Sequence, residues 1–434
     1  MPGRPLRWAA PFALLAAAAT ATGVALGGNP AETNAQGSTG NSVVVLVGDG
    51  LGPAHRTASQ LAKYGYDEIQ PMDALPEGGN LLTHTGTRAI GESGAGATAM
   101  ATGVKTRNNH AGVDAEGNRL ETLQELARDR GKSTGLISDN DATNATLAGF
   151  AAHTDNRDHK RQIARQYLTD TKPDLIFGGG EKIWYPKGEG KIPDQLDDDP
   201  SNNKVNLVEQ AKGLGYQYAY DRETFASLTG PKALALVQEQ AYLRGHELRG
   251  YRRSKDPHFV NVPTMFQKAL DILGQDPDGF FLVAEIDGLD DSGHEHDGKT
   301  TISGAQLINR MVSRVTTFQE TNPNTLLVVT ADHETGGMTI EGPRMPSQNS
   351  PGDDPVPEYG KPENMPLPSA ETPKRWGPFK VKGSDDKFNV DWTTPEHTGT
   401  MVPVTASGPG AERFSGVHQN TWVHTVAKDV LNGG

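Results

Sequence analysis

Short apolar runs at residues 43–47, 134–138, 175–177, 280–285 and 326–330, each bounded by Gly, Asp or Asn, leave this chain few folds to choose from. Runs of that length with little polar alternation are strands buried on both faces. Helix-like stretches lie between them, at 53–63, 95–101, 122–130, 145–152, 262–273 and 302–318. The alternation predicts an α/β fold, with a central, mostly parallel sheet flanked by helices on both faces. Two stretches break the pattern and are expected as insertions. One is near 231–258, where Arg244, Arg249, Arg252, Arg253 and Lys255 cluster; the other is near 342–390 and is dense in Pro and charge. No internal repeat is present, so residues 36–434 read as a single domain carrying 342–390 as a surface excursion.

Arg4 and Arg7 precede an Ala-rich apolar run and the small residues Thr33, Asn34 and Ala35. A charged start, apolar middle and small-residue exit predict a signal peptide and leader over 1–35, and hence export to a periplasm or the medium; an uncleaved membrane anchor is the alternative. The rest of the chain holds no run apolar and long enough to cross a bilayer, so no transmembrane segment is expected in the mature protein. The formal net charge of −13 argues against a nucleic-acid groove, which needs a Lys/Arg stripe. It also repels small phosphorylated substrates unless positive charge is gathered locally, and bound metal ions are one way to gather it. There is no cysteine, which excludes a thiol nucleophile, a Cys-ligated zinc and disulfides.

In parallel sheets ligands bind beyond the carboxyl ends of the strands, and that is where the acids are. The first run ends Val47-Gly48-Asp49-Gly50. The fourth delivers Glu285, then Asp290 and His294, and the fifth ends Thr330-Ala331-Asp332-His333. The second passes Asp139 and Asp141 toward Asn144 and Thr146, whereas the third ends in glycines. One acid after a strand is commonly a helix N-cap, and one Asp-His pair commonly just a hydrogen bond. Several at one sheet edge repel one another unless cations intervene. Asp290 with His294 and Asp332 with His333 suit Zn²⁺; Asp49, Glu285 and the Thr146 hydroxyl form an all-oxygen set that suits Mg²⁺. Ser93, in Gly91-Glu92-Ser93-Gly94-Ala95-Gly96, is expected where a strand at 81–88 turns into a helix, its hydroxyl at an anion-attracting N-terminus. An ordinary Ser N-cap is the alternative.

Gly48-Asp49-Gly50-Leu51-Gly52, the Ser93 segment with Ala97-Thr98-Ala99 and Thr102-Gly103, Ala145-Thr146, Thr330-Ala331-Asp332-His333 and His397-Thr398-Gly399 resemble the signature blocks of the alkaline phosphatase family, in family order. The resemblance implies a metal-dependent phosphate monoesterase acting on small phosphorylated substrates through a phosphoserine at Ser93. It implies a pair of Zn²⁺ ions and a single Mg²⁺. Asp290, His294 and His397 would hold one zinc, and Asp49, Asp332 and His333 the other, with Ser93 as a further ligand. Asp49, Thr146 and Glu285 would hold the magnesium. Arg157, which follows His153 at family spacing, would grip phosphate as a bidentate fork. A homodimer is also implied.

The chain departs from the family pattern at places that matter. Glu92 precedes the nucleophile where Asp is usual, Asn144 stands near the magnesium set where Asp or His is common, and Asp291 replaces a residue that is often Lys, His or Trp. Glu92, Asn144, Asp291 and His153 are therefore expected to surround the metal and phosphate groups. Asp291 is expected to make the magnesium site more negative, giving firmer binding or a different ion. Two other readings stay open: a phosphodiesterase with the same metal core, and an exported phosphate- or metal-binding protein without catalysis. A cysteine-type sulfatase is excluded, because no Cys exists to become its aldehyde.

Overall fold

The computed structural model describes residues 40–186, 205–238, 257–342 and 376–433. The leader expected over 1–35 and the basic cluster at 244–255 lie outside those residues. The strands are β1 Ser42–Gly48, β2 Glu77–Leu82, β3 Ser133–Asp141, β4 Leu175–Gly179, β5 Gln217–Ala219, β6 Ala233–Gln238, β7 Phe280–Ile286 and β8 Thr325–Thr330. After them come β9 Glu334–Thr335, β10 Met338–Glu341, β11 Phe379–Lys380, β12 Lys387–Trp392, β13 His397–Thr398, β14 Val402–Ser407 and β15 Gly416–Gln419.

Ten of these form one sheet in the order β15-β2-β14-β8-β1-β7-β3-β4-β6-β5. Every neighbour from β8 to β5 is parallel, whereas β14 runs antiparallel to β8 and β2. β1, β7 and β8 are buried at every position. Their Val, Ile, Leu and Phe side chains meet apolar neighbours on both faces, which is why their sequences show no alternation. The α/β fold expected from the sequence is the fold observed. The helices Pro53–Lys63 and Val262–Leu273 begin and end where their local signals place them. Pro occupies the first turn of both, and Asn261 caps the second by accepting from the Thr264 N–H.

Three expectations need correction. The stretch expected as an insertion from 231 contains β6, whose residues 233–237 are wholly buried between β4 and β5. That run is only a few residues long and leads into the basic cluster, so its strand signal is weak in the sequence. The stretch 342–390 is also more than a surface excursion: β11 and β12 join β10 in a three-stranded sheet. Phe388, Val390 and Trp392 pack there with Ala58 and Ile302 in a second apolar cluster. Finally, the strand expected over 81–88 stops at Leu82. Beyond it Thr85 turns the chain, its Oγ1 accepting from the N–H groups of Thr87 and Arg88. A side chain that offers the backbone a local partner competes with a strand ladder.

The register of the sheet brings the acidic strand ends level. Val47 of β1 stands opposite Glu285 of β7 on one side and Thr330 of β8 on the other. Ser138 of β3 stands opposite Glu285. Four adjacent strands thus end side by side, with β1 in the inner position between β8 and β7.

Candidate active site

Because β1 lies between β7 and β8, Asp49 at its end meets acids from both neighbours. Three groups of side chains each bring ligand atoms within 4.8 Å of one another: Asp290, His333 and His397; Asp49, Asp332 and His333; and Asp49, Glu285 and Asp287. His294 joins the first, with Nε2 3.1 Å from Asp290 and 3.2 Å from His397 Nε2. Thr146 joins the third, its hydroxyl 3.5 Å from Asp49 Oδ2. The two oxygens of Asp49 face different groups: Oδ1 lies 3.4 Å from His333 Nε2, and Oδ2 faces Thr146.

Hydrogen bonds fix which nitrogen of each imidazole is free. His397 Nδ1–H donates to the Gly91 carbonyl (3.0 Å), and His294 Nδ1–H donates to the Pro395 carbonyl. A carbonyl only accepts, so in each neutral ring Nε2 is left as a bare lone pair, and the two lone pairs face each other. The Thr335 hydroxyl donates to Asp290 and so must accept from His333 Nδ1–H at 3.2 Å. His333 Nε2 therefore also presents a lone pair, toward Asp49, Asp332 and Ser93. Lone pairs and carboxylates all aimed inward are a donor set built for cations. Two buried carboxylate oxygens, Asp49 Oδ1 and Asp332 Oδ2, have no hydrogen-bond partner at all. The residues present fit bound metal ions.

Without a cation, these groups hold protons instead. Burial, then the neighbouring Asp332 and Asp290 carboxylates, pushes Asp49 well above the ordinary carboxylate range. Burial followed by Asp287 does the same to Glu285. Burial and Asp290 push Asp332 up to about 7 and Asp287 up to about 6. Its hydrogen bond to Asp290 raises His294 to about 9. Burial and the charge on His397 drive His333 down to about 3.

Ser93 opens the helix Ser93–Thr102, and its Oγ lies 3.4 Å from His333 Nε2. It is not the N-cap. Glu92 is, accepting from the N–H groups of Gly94 (3.0 Å) and Ala95 (2.8 Å). The serine hydroxyl is thereby left without a capping task. Glu92 also accepts from the Asn109 N–H and pairs with Arg157 Nη1. Burial opposes its charge, but Arg157 and the helix N–H groups hold its carboxyl below the usual range. Arg157 is thus a fixed guanidinium beside Glu92, at the start of the Ser93 helix, with Nη1 held by the carboxylate.

The helix reaches this position because it is built of small residues. A methyl at Gly96 would stand 2.9 Å from the Asp332 carbonyl oxygen, and one at Gly149 would stand 2.7 Å from Ala97 Cβ. Gly96→Ala is expected to push the helix off the end of β8 and carry Ser93 with it. kcat should fall roughly ten- to a hundredfold, the usual cost of a misplacement near 1 Å. The loss of folding stability should be about 1–3 kcal/mol. Steady-state kinetics and a thermal melt check this; a wild-type kcat would show that the position of this helix does not matter to turnover.

The structure brings together Asp49, Ser93, Thr146, Glu285, Asp290, His294, Asp332, His333 and His397. It places Glu92 at the start of the Ser93 helix and Arg157 beside Glu92. Asn144 donates to Glu285 (3.4 Å) and to Asp287, and Asp291 adds its charge to the field at His294 and at buried Asp139. His153 does not join them. Its ring nitrogens meet Gly112 and Glu125, and its backbone meets Gln166, so it braces the helix Leu123–Asp129 instead of surrounding the metal groups. Sequence reasoning passed over two residues. Thr335, which sets the His333 tautomer, carries no local signal. Asp287 does: it lies two positions beyond Glu285, at the end of the same strand.

The family model for alkaline phosphatase matches residues 40–432. Alkaline phosphatase 4 of Bacillus subtilis is 29% identical, over 91% of this chain and 89% of its own. Streptomycin-6-phosphate phosphatase of Streptomyces griseus is 28% identical, over 88% of each. Among solved structures, a cold-active alkaline phosphatase from a psychrophilic Shewanella species superposes with a TM-score of 0.69 at 26% identity, covering 90% of this chain and 99% of its own. The Thermus thermophilus alkaline phosphatase, at 21% identity, shares the fold with a TM-score of 0.72, covering 94% of this chain and 96% of its own.

Proposed function

This chain belongs to the alkaline phosphatase family and hydrolyses phosphate monoesters, and we propose that Ser93 is its nucleophile and Arg157 its phosphate grip. One observation carries the reading. Ser93 Oγ sits 3.4 Å from His333 Nε2, the atom that also faces Asp49 at 3.4 Å and Asp332 at 3.5 Å. The hydroxyl therefore lies at the rim of a charged metal group, not in a core. Zn²⁺ suits the two His/carboxylate groups, formed by Asp290, His294 and His397 and by Asp49, Asp332 and His333. Mg²⁺ suits the oxygen group of Asp49, Thr146 and Glu285.

Bound there, such ions would supply Lewis-acid stabilisation of developing negative charge and would favour the ionised serine. The rest falls to the chain's own groups. Glu92 occupies the helix N-cap and pins Arg157, so the guanidinium meets the phosphoryl oxygens already oriented. Ser93 Oγ attacks phosphorus in line as the P–O bond to the alcohol breaks, leaving a phosphoserine that water then cleaves. Stacking of His397 on His333, with ring centroids 3.7 Å apart, places the first metal group beside the second. Residues of both groups would thus be at hand where charge develops on the attacking and departing oxygens.

An acid quench during turnover of an aryl phosphate, followed by mass spectrometry of the proteolysed chain, should find phosphate on Ser93. Phosphate on another residue, or on none while turnover continues, would remove Ser93 from this role. Export rests on the leader pattern at 1–35, and a homodimer on the family alone. Among the described residues no helix is long and apolar enough to cross a membrane.

A further inference from the structure

We infer that Asp287 is a further ligand of the third metal group, so that three carboxylates, Asp49, Glu285 and Asp287, hold a hard divalent cation together with the Thr146 hydroxyl. The inference rests on the metal-centred reading of the site and assigns a ligand that reading does not contain.

Asp287 occupies the N-cap position of the helix Gly288–His294, yet its side chain makes no cap hydrogen bond. An Asp there ordinarily turns toward the free N–H groups of the first turn. This carboxylate turns the other way. Asn144 Nδ2 donates to Oδ1 and Asn140 Nδ2 to Oδ2, which aims the group at Asp49 and Glu285, with ligand atoms of all three within 4.8 Å. Neither asparagine brings charge. No Lys or Arg among the described residues forms an ion pair with Asp49, Glu285 or Asp287; the nearby Lys160 is taken by Asp141. Asp49 is wholly buried, and Oδ2, the oxygen it turns to this group, receives only the long Thr146 contact, while Oδ1, which has no hydrogen-bond partner, faces His333. A carboxylate retains unused lone pairs after accepting one hydrogen bond on each oxygen, so the asparagines orient Asp287 without saturating it.

The ion's chemistry is set by the donor count. All the donors are oxygens, which selects Mg²⁺, Mn²⁺ or Ca²⁺ over softer metals. Two carboxylates would neutralise a divalent ion, and the third leaves the occupied group negative. The cation should therefore be held more firmly than two carboxylates alone would hold it.

The test uses the full-length chain, stripped of metal and reloaded with Zn²⁺, then titrated calorimetrically with Mg²⁺. Asp287→Asn should raise the Mg²⁺ dissociation constant tenfold or more while zinc content by elemental analysis stays at the wild-type level. With Mn²⁺ as a paramagnetic replacement, water-proton relaxation should report one more coordinated water in the variant. An unchanged Mg²⁺ constant, or a raised one with no added water, would mean that Asp287 only accepts from Asn140 and Asn144, and would overturn the assignment. If the Asn variant does not fold, Asp287→Ser removes the same carboxylate and is read in the same way. Glu285→Gln separates failure of the Asp287 assignment from failure of the whole site. Should it too leave Mg²⁺ binding unchanged, the third group itself is not a metal site; should it alone abolish binding, only the role of Asp287 fails.

Discussion

Ser93→Ala is expected to lower kcat/KM for an aryl phosphate by about four orders of magnitude or more, in the range found when a hydrolase loses its nucleophile, while leaving the melting temperature unchanged or slightly higher. The second half makes the first informative. Glu92, not Ser93, caps the helix, so alanine removes no capping bond, and alanine is the better helix former. The lost hydroxyl has one side-chain contact, His333 at 3.4 Å, and metal content should stay close to wild type because the carboxylates and imidazoles remain. Kinetics, a thermal melt and elemental analysis on one preparation suffice. A variant that keeps more than about a tenth of wild-type turnover would remove Ser93 from the chemistry, since a bystander hydroxyl costs no more than that.

Stripping the metals with a chelator should abolish activity and lower the melting temperature, and the loss of stability should grow with pH. At a ligand concentration a thousandfold above its dissociation constant, each site contributes about 4 kcal/mol to the folded state. Several such sites correspond to a drop of roughly 10 °C or more. The pH dependence comes from the raised carboxyls. In the stripped protein Asp287 titrates near 6 and Asp332 near 7, with Asp49 and Glu285 also raised, against about 4 in the unfolded chain. Between those values the folded state binds more protons, so stability falls as pH rises from about 4 to 7. His294, raised to about 9, extends the fall to pH 9. His333, depressed to about 3, works the other way: its contribution is present above about 6.5 and is lost below. Four carboxyls outweigh one imidazole. Stripped protein should therefore melt lower at pH 8 than at pH 6, and the loaded protein should not share that slope. Equal melting curves with and without chelator, or full activity after stripping, would end the metal-centred account.

Much of the fold was legible because its signals are local. Continuous apolar runs mark β1, β7 and β8, and Pro in the first turn with an Asn cap marks the helix Val262–Leu273. The same locality misled at residues 83–88, where Thr85 forms a turn through its own side chain, and at β6, whose five buried residues, 233–237, were overshadowed by charges downstream. Ligand types were legible for a related reason. Whether a residue offers an imidazole nitrogen or a carboxylate oxygen is a property of the residue alone, so Asp49, Glu285, Asp290, Asp332 and His333 could be named from where their strands end.

Which of these side chains lie together does not follow from spacing along the chain, and the groupings given from the sequence leaned on the family resemblance. Asp49 touches two groups because β1 lies between β7 and β8, a strand order set by long-range burial of apolar faces. His397 arrives through the antiparallel pairing of β13 with β9. His153 looked like a neighbour of Arg157 by its number, but packing turned it to Glu125. Asp287 had the sequence of a helix cap, and only Asn140 and Asn144, more than a hundred residues earlier, turn it toward the metal group. The sequence by itself determined the strands, most helices and the chemical kinds of ligand, because those depend on residues a few positions apart. The tertiary structure decided their partnerships, because charge and coordination act over a few ångströms of space whatever the separation along the chain.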